Sequence, residues 1–252
     1  MTAVSNRKAS TTLRHAYRDN DRAVLEILSL AHPACDPDAL IDGVEIGGQE
    51  ILGAPDRPQR GAILLGMHMG NGILMAARLA RDGFPIHVVY RDPRRLPPGL
   101  LGRSLERAGC IPLALDRANP TRSFRQLLKV LKHGGMVYVL MDQGNKGEGA
   151  RQRFLGKILR MPTGIPKLAM RANVPVIPIH AKAAAPTWRF QVRPPLSARD
   201  DVSLLDAICL SMQHQILERP ALWAWHHRRW KRYHLEPDFK PDAQAENNLS
   251  CR

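Results

Sequence analysis

The chain has 252 residues, 44% hydrophobic and 24% charged, a balance that excludes an intrinsically disordered chain and suffices to bury a sizeable core. Its 37 Lys and Arg against 23 Asp and Glu leave a formal charge of +14, which draws anionic partners such as nucleic acid, acidic lipid headgroups or an acidic carrier protein. No apolar run approaches the roughly 18–20 residues of a membrane span, and residues 1–22 carry no apolar core long enough to predict a signal peptide.

Residues 10–31 carry Leu13, Tyr17, Val24, Ile27 and Leu28 on or near one face and predict one or two amphipathic helices. HPACDP (32–37) breaks that pattern, and DRPQRG (56–61) is a loop. AILLGM (62–67) reads as a buried strand and runs through HMGNG into a helix over about 72–82. PIHVVYR (85–91) is a strand, a helix follows RLPPGL and ends near Gly109, and IPLALD (111–116) is a short strand. SFRQLLKVLKHGG (123–135) is an amphipathic helix closed by glycines. MVYVLMD (136–142), apolar on both faces, has the pattern of a central strand. It opens into a polar, basic loop that is expected to be flexible, MDQGNKGEGARQRFLGK. A helix over 163–173, strands over 174–181 and 188–194, and a long amphipathic helix over 201–219 complete the pattern. This alternation predicts an α/β domain with a mostly parallel central sheet flanked by helices. The expected organisation is an N-terminal helical segment (1–40), the α/β domain (41–235) and a tail (236–252).

Four cysteines without a CxxC pair give neither a disulfide framework nor a zinc site and fit a reducing cytoplasm. Aromatics at 5%, without basic interleaving, make nucleic acid the weakest of the anionic partners. Four stretches carry groups able to do chemistry: HMGNG (68–72), VYRD (89–92), MDQG (141–144) with its basic loop, and WAWHHRRWKR (223–232). The first three follow predicted strands, and open α/β sheets bind ligands at the carboxyl ends of their strands. His68 sits at a strand-to-helix turn, where an imidazole can take a proton near neutral pH and free helix N–H groups favour an oxyanion or phosphate. Each feature also has a plain reading. A histidine there is more often packed or solvated, Asp142 can cap a loop, Arg91 can be a surface ion pair, and RRWKR a solvated face over Trp225 and Trp230.

In this order, GMHMGNG, VVYRD, MDQG, RFLGK, TG, VPVIP and WAWHHRRWK resemble the late lipid A acyltransferases. These lauroyl and myristoyl transferases belong to the wider lysophospholipid acyltransferase superfamily. The resemblance covers roughly residues 41–233 and implies an acyltransferase-like fold. It implies that His68 is a general base for a hydroxyl or amine acceptor, which then attacks an acyl carrier protein or coenzyme A thioester. Neither a metal nor a resident cofactor is expected. By the same resemblance Asn71, Arg91 and Gln143 line the substrate site, and Arg228 and Arg229 lie near anionic headgroups or phosphate.

The sequence departs from the family pattern twice. The motif H-x4-D/E, HFGNWE in the lipid A branch, here reads HMGNGI, so Ile73 stands where an acid orients the histidine. Asp92 and Asp142 are the candidate replacements. The sequence also leads us to expect no membrane anchor of the kind usual at the N-terminus of the lipid A enzymes. The expectation is a cytoplasmic protein, peripheral at most to an anionic inner membrane, with a lipid or a soluble metabolite as acceptor. The alternatives are a non-catalytic homologue that binds an acyl chain or carrier, and altered thioester chemistry such as hydrolysis or cyclisation of a carrier-bound chain.

Overall fold

The computed structural model of the chain describes residues 3–53, 61–91, 97–116, 118–143, 149–227 and 229. Asp92, Arg228, Trp230, residues 144–148 of the basic loop and the expected tail lie outside the described residues. Among those described, the order of elements is α1 (Ala3–Leu30), α2 (Pro37–Asp42), β1 (Glu45–Gly47), β2 (Ala62–Gly66), α3 (Gly72–Arg81), β3 (Ile86–Tyr90), α4 (Leu100–Arg107) and β4 (Ile111–Ala114). Next come α5 (Pro120–Lys132), β5 (Met136–Leu140), β6 (Ala150–Phe154), β7 (Lys157–Met161), α6 (Gly164–Ala172), β8 (Val176–Ala183), β9 (Arg189–Val192) and α7 (Asp201–Glu218).

The main sheet runs β1-β9-β8-β2-β5-β3-β4. Every pairing in it is parallel except β8 with β9, so the sheet is mostly parallel, as the alternation of elements predicts. β2 lies between β8 and β5, and all its residues are buried, which is why AILLG is apolar without alternation. The chain steps from β2 to β3 and β4 in one direction, then returns to insert β5 beside β2 and goes on to β8. Right-handed crossovers therefore put α3 and α4 on one face and α5 and α6 on the other. The packing agrees: α1 lies on α4, α5 on α6, and α6 on α7. No described helix is long and apolar enough to cross a membrane.

Of the one or two helices expected over 10–31, the structure forms one: α1 contains residues 10–30, and its Ala23 and Leu30 join the core. The stretch expected to be a flexible loop differs from expectation, since its residues 150–157 belong to the antiparallel hairpin β6–β7. Its turn holds Leu155 at φ 49° and Gly156 at φ 77°, left-handed geometry that Asn-Gly normally announces and Leu-Gly does not. α7 secures it. Gln213 Oε1 accepts from the Leu155 N–H at 2.8 Å, and Gln152 donates to Asp206 at 2.7 Å.

The register of the central strands sets where their carboxyl ends meet. Gly66 of β2 faces Leu140 of β5, and the Met141 N–H donates to the Gly66 carbonyl at 3.3 Å. Continued along both strands, this register brings His68 opposite Asp142. Directly beneath, the buried ring of Tyr138 fills the space that Gly66 and Gly72 leave; a Cβ on Gly66 would come within 2.7 Å of Tyr138 Cζ. Gly66→Ala is therefore expected to cost about 1–3 kcal/mol by overpacking, read as a lower urea midpoint. Gly53→Ala, where a Cβ meets no atom of the described residues within 4 Å, is the control and shows no such loss.

Candidate active site

The β2–α3 turn carries His68. Gly70 adopts φ +63°, and Asn71 caps α3 by accepting the Leu74 N–H at 3.1 Å. The segment after α7 lies along this turn. Gly70 N–H donates to the Leu222 carbonyl at 3.3 Å, Ala224 N–H donates to the His68 carbonyl at 2.9 Å, and Met69 and Trp223 form an antiparallel bridge. Residues far apart in the chain are thus joined through backbone.

At the centre is Asp142, fully buried. Its Oδ1 lies 2.7 Å from His68 Nδ1 and accepts the His68 backbone N–H at 3.2 Å. Its Oδ2 accepts from Trp223 Nε1 at 2.9 Å and from Arg229 Nη2. Arg229 Nε also donates to the Asp142 carbonyl at 2.6 Å and Nη1 to the Ala224 carbonyl at 2.7 Å, while the guanidinium stacks 4.1 Å from the Trp223 ring centre. Burial pushes the Asp142 carboxyl up, but His68, Arg229 and the Trp223 hydrogen bond together outweigh it and hold the group well below the usual carboxylate range. A carboxylate only accepts, so it fixes the proton of neutral His68 on Nδ1 and leaves Nε2 with its lone pair outward. The His68 side chain keeps 26% of its surface exposed while that of Asp142 has none, so the imidazole is reachable and the carboxylate is not.

Gln143 and His227 complete the cluster. Gln143 Nε2 lies 3.3 Å from His68 Nε2 and 3.2 Å from His227 Nδ1. The rings of His68 and His227 are 4.4 Å apart, as are those of His227 and His226. His227 keeps an exposed edge, yet the buried part of its ring and the neighbouring His68, Arg229 and His226 push it down to about 3. On the other side, Glu26 of α1 accepts from Asn71 Nδ2 at 2.9 Å and Trp188 Nε1 at 2.6 Å, and its second oxygen accepts from Arg22 at 2.7 Å.

The structure thus brings His68, Asp142, Gln143 and Arg229 together. Two sequence-based expectations are corrected by burial. Asn71 is fully buried with its amide committed to Glu26, the Ala23 carbonyl and the α3 cap, so it holds the turn rather than substrate. Arg229 is buried against Asp142 and presents no charge to a headgroup or phosphate. Arg91 is exposed at the end of β3, with β5 between it and the His68 strand. Asp92 and Arg228, also candidates by sequence, lie outside the described residues. Trp223, His227 and Glu26 are not among the sequence-based candidates. WAWHH is the available signal for the first two, and nothing local marks Glu26.

Arg229→Met strands a buried carboxylate, and loss of one partner of such a pair costs about 3–5 kcal/mol, to be read from denaturant unfolding at pH 7. Acid acts through the histidines first. Unfolded histidine binds a proton below about pH 6.5, whereas folded His227 does so only near 3 and half-buried His180 near 4. Between those limits the unfolded state holds more protons, so stability falls as pH drops from about 6.5 to 4. Asp142, its carboxyl depressed, weakens the fold only at lower pH. A flatter stability profile over that window in His227→Gln is the expected outcome, measured by urea midpoints.

Two proteins named phosphatidylinositol mannoside acyltransferase, from Mycobacterium tuberculosis strains CDC 1551 and H37Rv, are each 27% identical to the chain over 192 residues. The aligned region covers 73% of this chain and 59% of each relative, so the chain spans under two thirds of their length. The family model for bacterial lipid A biosynthesis acyltransferases matches residues 10–232, from within α1 through the turn that carries Arg229. The chain belongs to the bacterial lipid A biosynthesis acyltransferase family.

Proposed function

We propose that the protein is an acyltransferase that moves an acyl group from an acyl carrier protein or coenzyme A thioester to a hydroxyl or amine, with His68 as general base. The observation that carries this reading is the 2.7 Å contact from His68 Nδ1 to the buried Asp142 carboxylate, which leaves Nε2 directed outward. Family membership supports the reaction class. Nε2 takes the proton of the acceptor as its oxygen or nitrogen attacks the thioester carbonyl. The tetrahedral adduct then collapses, the C–S bond breaks, and the imidazolium returns the proton to the leaving sulfur. General-base assistance of this kind contributes about 10²–10⁴ in rate. Asp142 contributes by holding the tautomer and by stabilising the imidazolium that forms. Gln143 covers the Nε2 lone pair at rest and gives way to the acceptor.

Ile73 in place of the family acid is the chief argument for a binding-only homologue. A carboxylate delivered from β5 instead of α3 removes the need for an acid at that position, which favours turnover. The donor is assigned to a carrier protein or coenzyme A because a chain with +14 formal charge attracts an acidic carrier or nucleotide phosphates. The site of action is assigned to the cytoplasm or the cytoplasmic surface of a membrane.

Purified protein with acyl thioesters and a panel of acceptors tests the mechanism by release of free thiol. His68→Ala is expected to abolish release. Asp142→Asn, which no longer fixes the tautomer, is expected to lower kcat by about 10⁴, as loss of the orienting acid does in a serine protease. Ile73→Glu is expected to stay within a few-fold of the parent. Full thiol release by His68→Ala would discard the mechanism.

A further inference from the structure

The hairpin β6–β7 breaks a rule of strand pairing. It is a sheet of two strands, and its register sets Arg151 directly opposite Arg160 and Arg153 opposite Ile158, so all three arginines share one face. Like charges directly opposite weaken a strand pair, and a two-stranded ribbon is marginal to begin with. That face is the outer one. Arg151 and Arg153 are exposed and Arg160 is half-buried, whereas Phe154, Leu159 and Met161 on the other face are buried.

The inner face fixes the hairpin beside the site. The Phe154 ring lies 6.3 Å from that of Trp223, whose indole donates to Asp142, and Gln152 and the Leu155 N–H bond to Asp206 and Gln213 of α7. The Arg151–Arg160 pair stands one residue from the base of the ribbon, the end at which the chain arrives from Gln143 and leaves for α6. A local rule broken on the outer face, while the inner face is well packed, marks a functional surface.

We propose that this arginine face is the dock for the phosphate of the acyl donor. The donor is then a phosphopantetheine thioester held at two points, its carbonyl at His68 and its phosphate at Arg151, Arg153 and Arg160. This rests on the acyl-transfer reading above and locates its donor. Acyl coenzyme A and an acylated carrier protein both present such a phosphate at the far end of the same pantetheine arm. Directly opposite Cα atoms lie about 4.5–5.5 Å apart, so two long side chains converge on one phosphate, which turns their repulsion into a shared attraction. Guanidinium suits the task, being always charged and able to donate to two phosphate oxygens at once. Each has five N–H donors, so a bond within the chain leaves others for a ligand. Arg229, committed to buried Asp142, cannot take this role. Three cations gathered on one short ribbon fit a phosphate better than the extended acidic surface of a protein.

Four donors with the same acyl group test this: octanoyl-pantetheine, octanoyl-4′-phosphopantetheine, octanoyl-coenzyme A and octanoyl carrier protein. Thiol release with the acceptor panel above gives kcat/KM for each, after subtraction of the His68→Ala rate. The phosphorylated donors are expected to exceed octanoyl-pantetheine by about tenfold, and the faster of the last two identifies the source. Arg151→Met and Arg160→Met keep the side-chain stem and remove the charge. In each the preference falls by about tenfold, the effect of one hydrogen bond, through the KM of the donor. Both are expected to keep or raise the urea midpoint, because each removes a like-charge contact. Arg171→Met, which deletes an exposed charge in the last turn of α6, is the control for net charge and keeps the parent preference. No preference in the parent, a preference unchanged in both hairpin variants, or an equal loss in Arg171→Met overturns the dock. A loss confined to the carrier-protein donor, or a rise in the KM of the acceptor instead, also overturns it. Calorimetry gives a readout without turnover: coenzyme A is expected to bind Arg160→Met about tenfold more weakly than the parent, and equal binding overturns the dock. No thiol release above the His68→Ala rate with any donor, alongside coenzyme A binding that depends on Arg160, removes the acyl-transfer reading and leaves the dock.

Discussion

The structure around the site depends on one buried anion. Asp142 has no exposed surface, and an isolated carboxylate in that position would be expelled or protonated. It is retained because both oxygens are filled: Oδ1 by the ring and backbone of His68, Oδ2 by the indole of Trp223 and the guanidinium of Arg229. The donors come from two places in sequence, the turn after β2 and the segment after α7, so satisfying the charge brings those places together. The backbone bonds between residues 68–70 and 222–224 take the same path. A charge that would be a liability alone becomes the reason the C-terminal segment closes over the turn.

Strand register makes this economical. β2 and β5 are parallel neighbours in which Gly66 faces Leu140, so the residues just past their ends face each other without any special loop. Their onward connections leave for opposite faces of the sheet, since α3 and α6 lie on different sides, and adjacent strands that diverge in this way open a crevice at their carboxyl ends. Support from below is equally specific. Tyr138 sits under the turn because Gly66 and Gly72 have no side chains, and Glu26 reaches from α1 to hold the amide of Asn71. The imidazole is therefore fixed from two sides while its other nitrogen faces the Gln143 amide.

Much of this is legible in the sequence, and the limits are physical. AILLG and MVYVL read as buried strands because a strand covered on both faces is apolar throughout, and HMGNG and MDQG read as strand-end loops for the same reason. That His68 meets Asp142 requires the strand order, which local periodicity does not contain: β3 and β4 intervene in sequence but not in space. ARQRF and KILRM do not read as strands because their inward positions are separated by charged ones and the turn between them lacks the usual Asn-Gly. Asn71 and Arg229 invite assignment to substrate because they are polar residues within motifs that otherwise carry the chemistry. Burial shows that each is consumed by an internal partner. His227 and Glu26 are invisible for the opposite reason, since each matters only through a neighbour supplied by the fold.

The position of the carboxylate has consequences for how the His68 imidazole is held. The acid of the family pattern falls at position 73, which in this chain lies in the first turn of α3, where the helix dipole favours a negative charge. Ile73 gives up that arrangement. A carboxylate just past the end of β5 instead lies in the protein interior, where its interaction with the ring is weakly screened and where little can compete for its oxygens. The same burial demands a permanent cation, and Arg229 supplies it through a bond to the carboxylate and another to the Asp142 carbonyl. The C-terminal segment can therefore not be an accessory to the His68 turn in this protein: without the guanidinium, the carboxylate that orients the imidazole would lose its charge or its place.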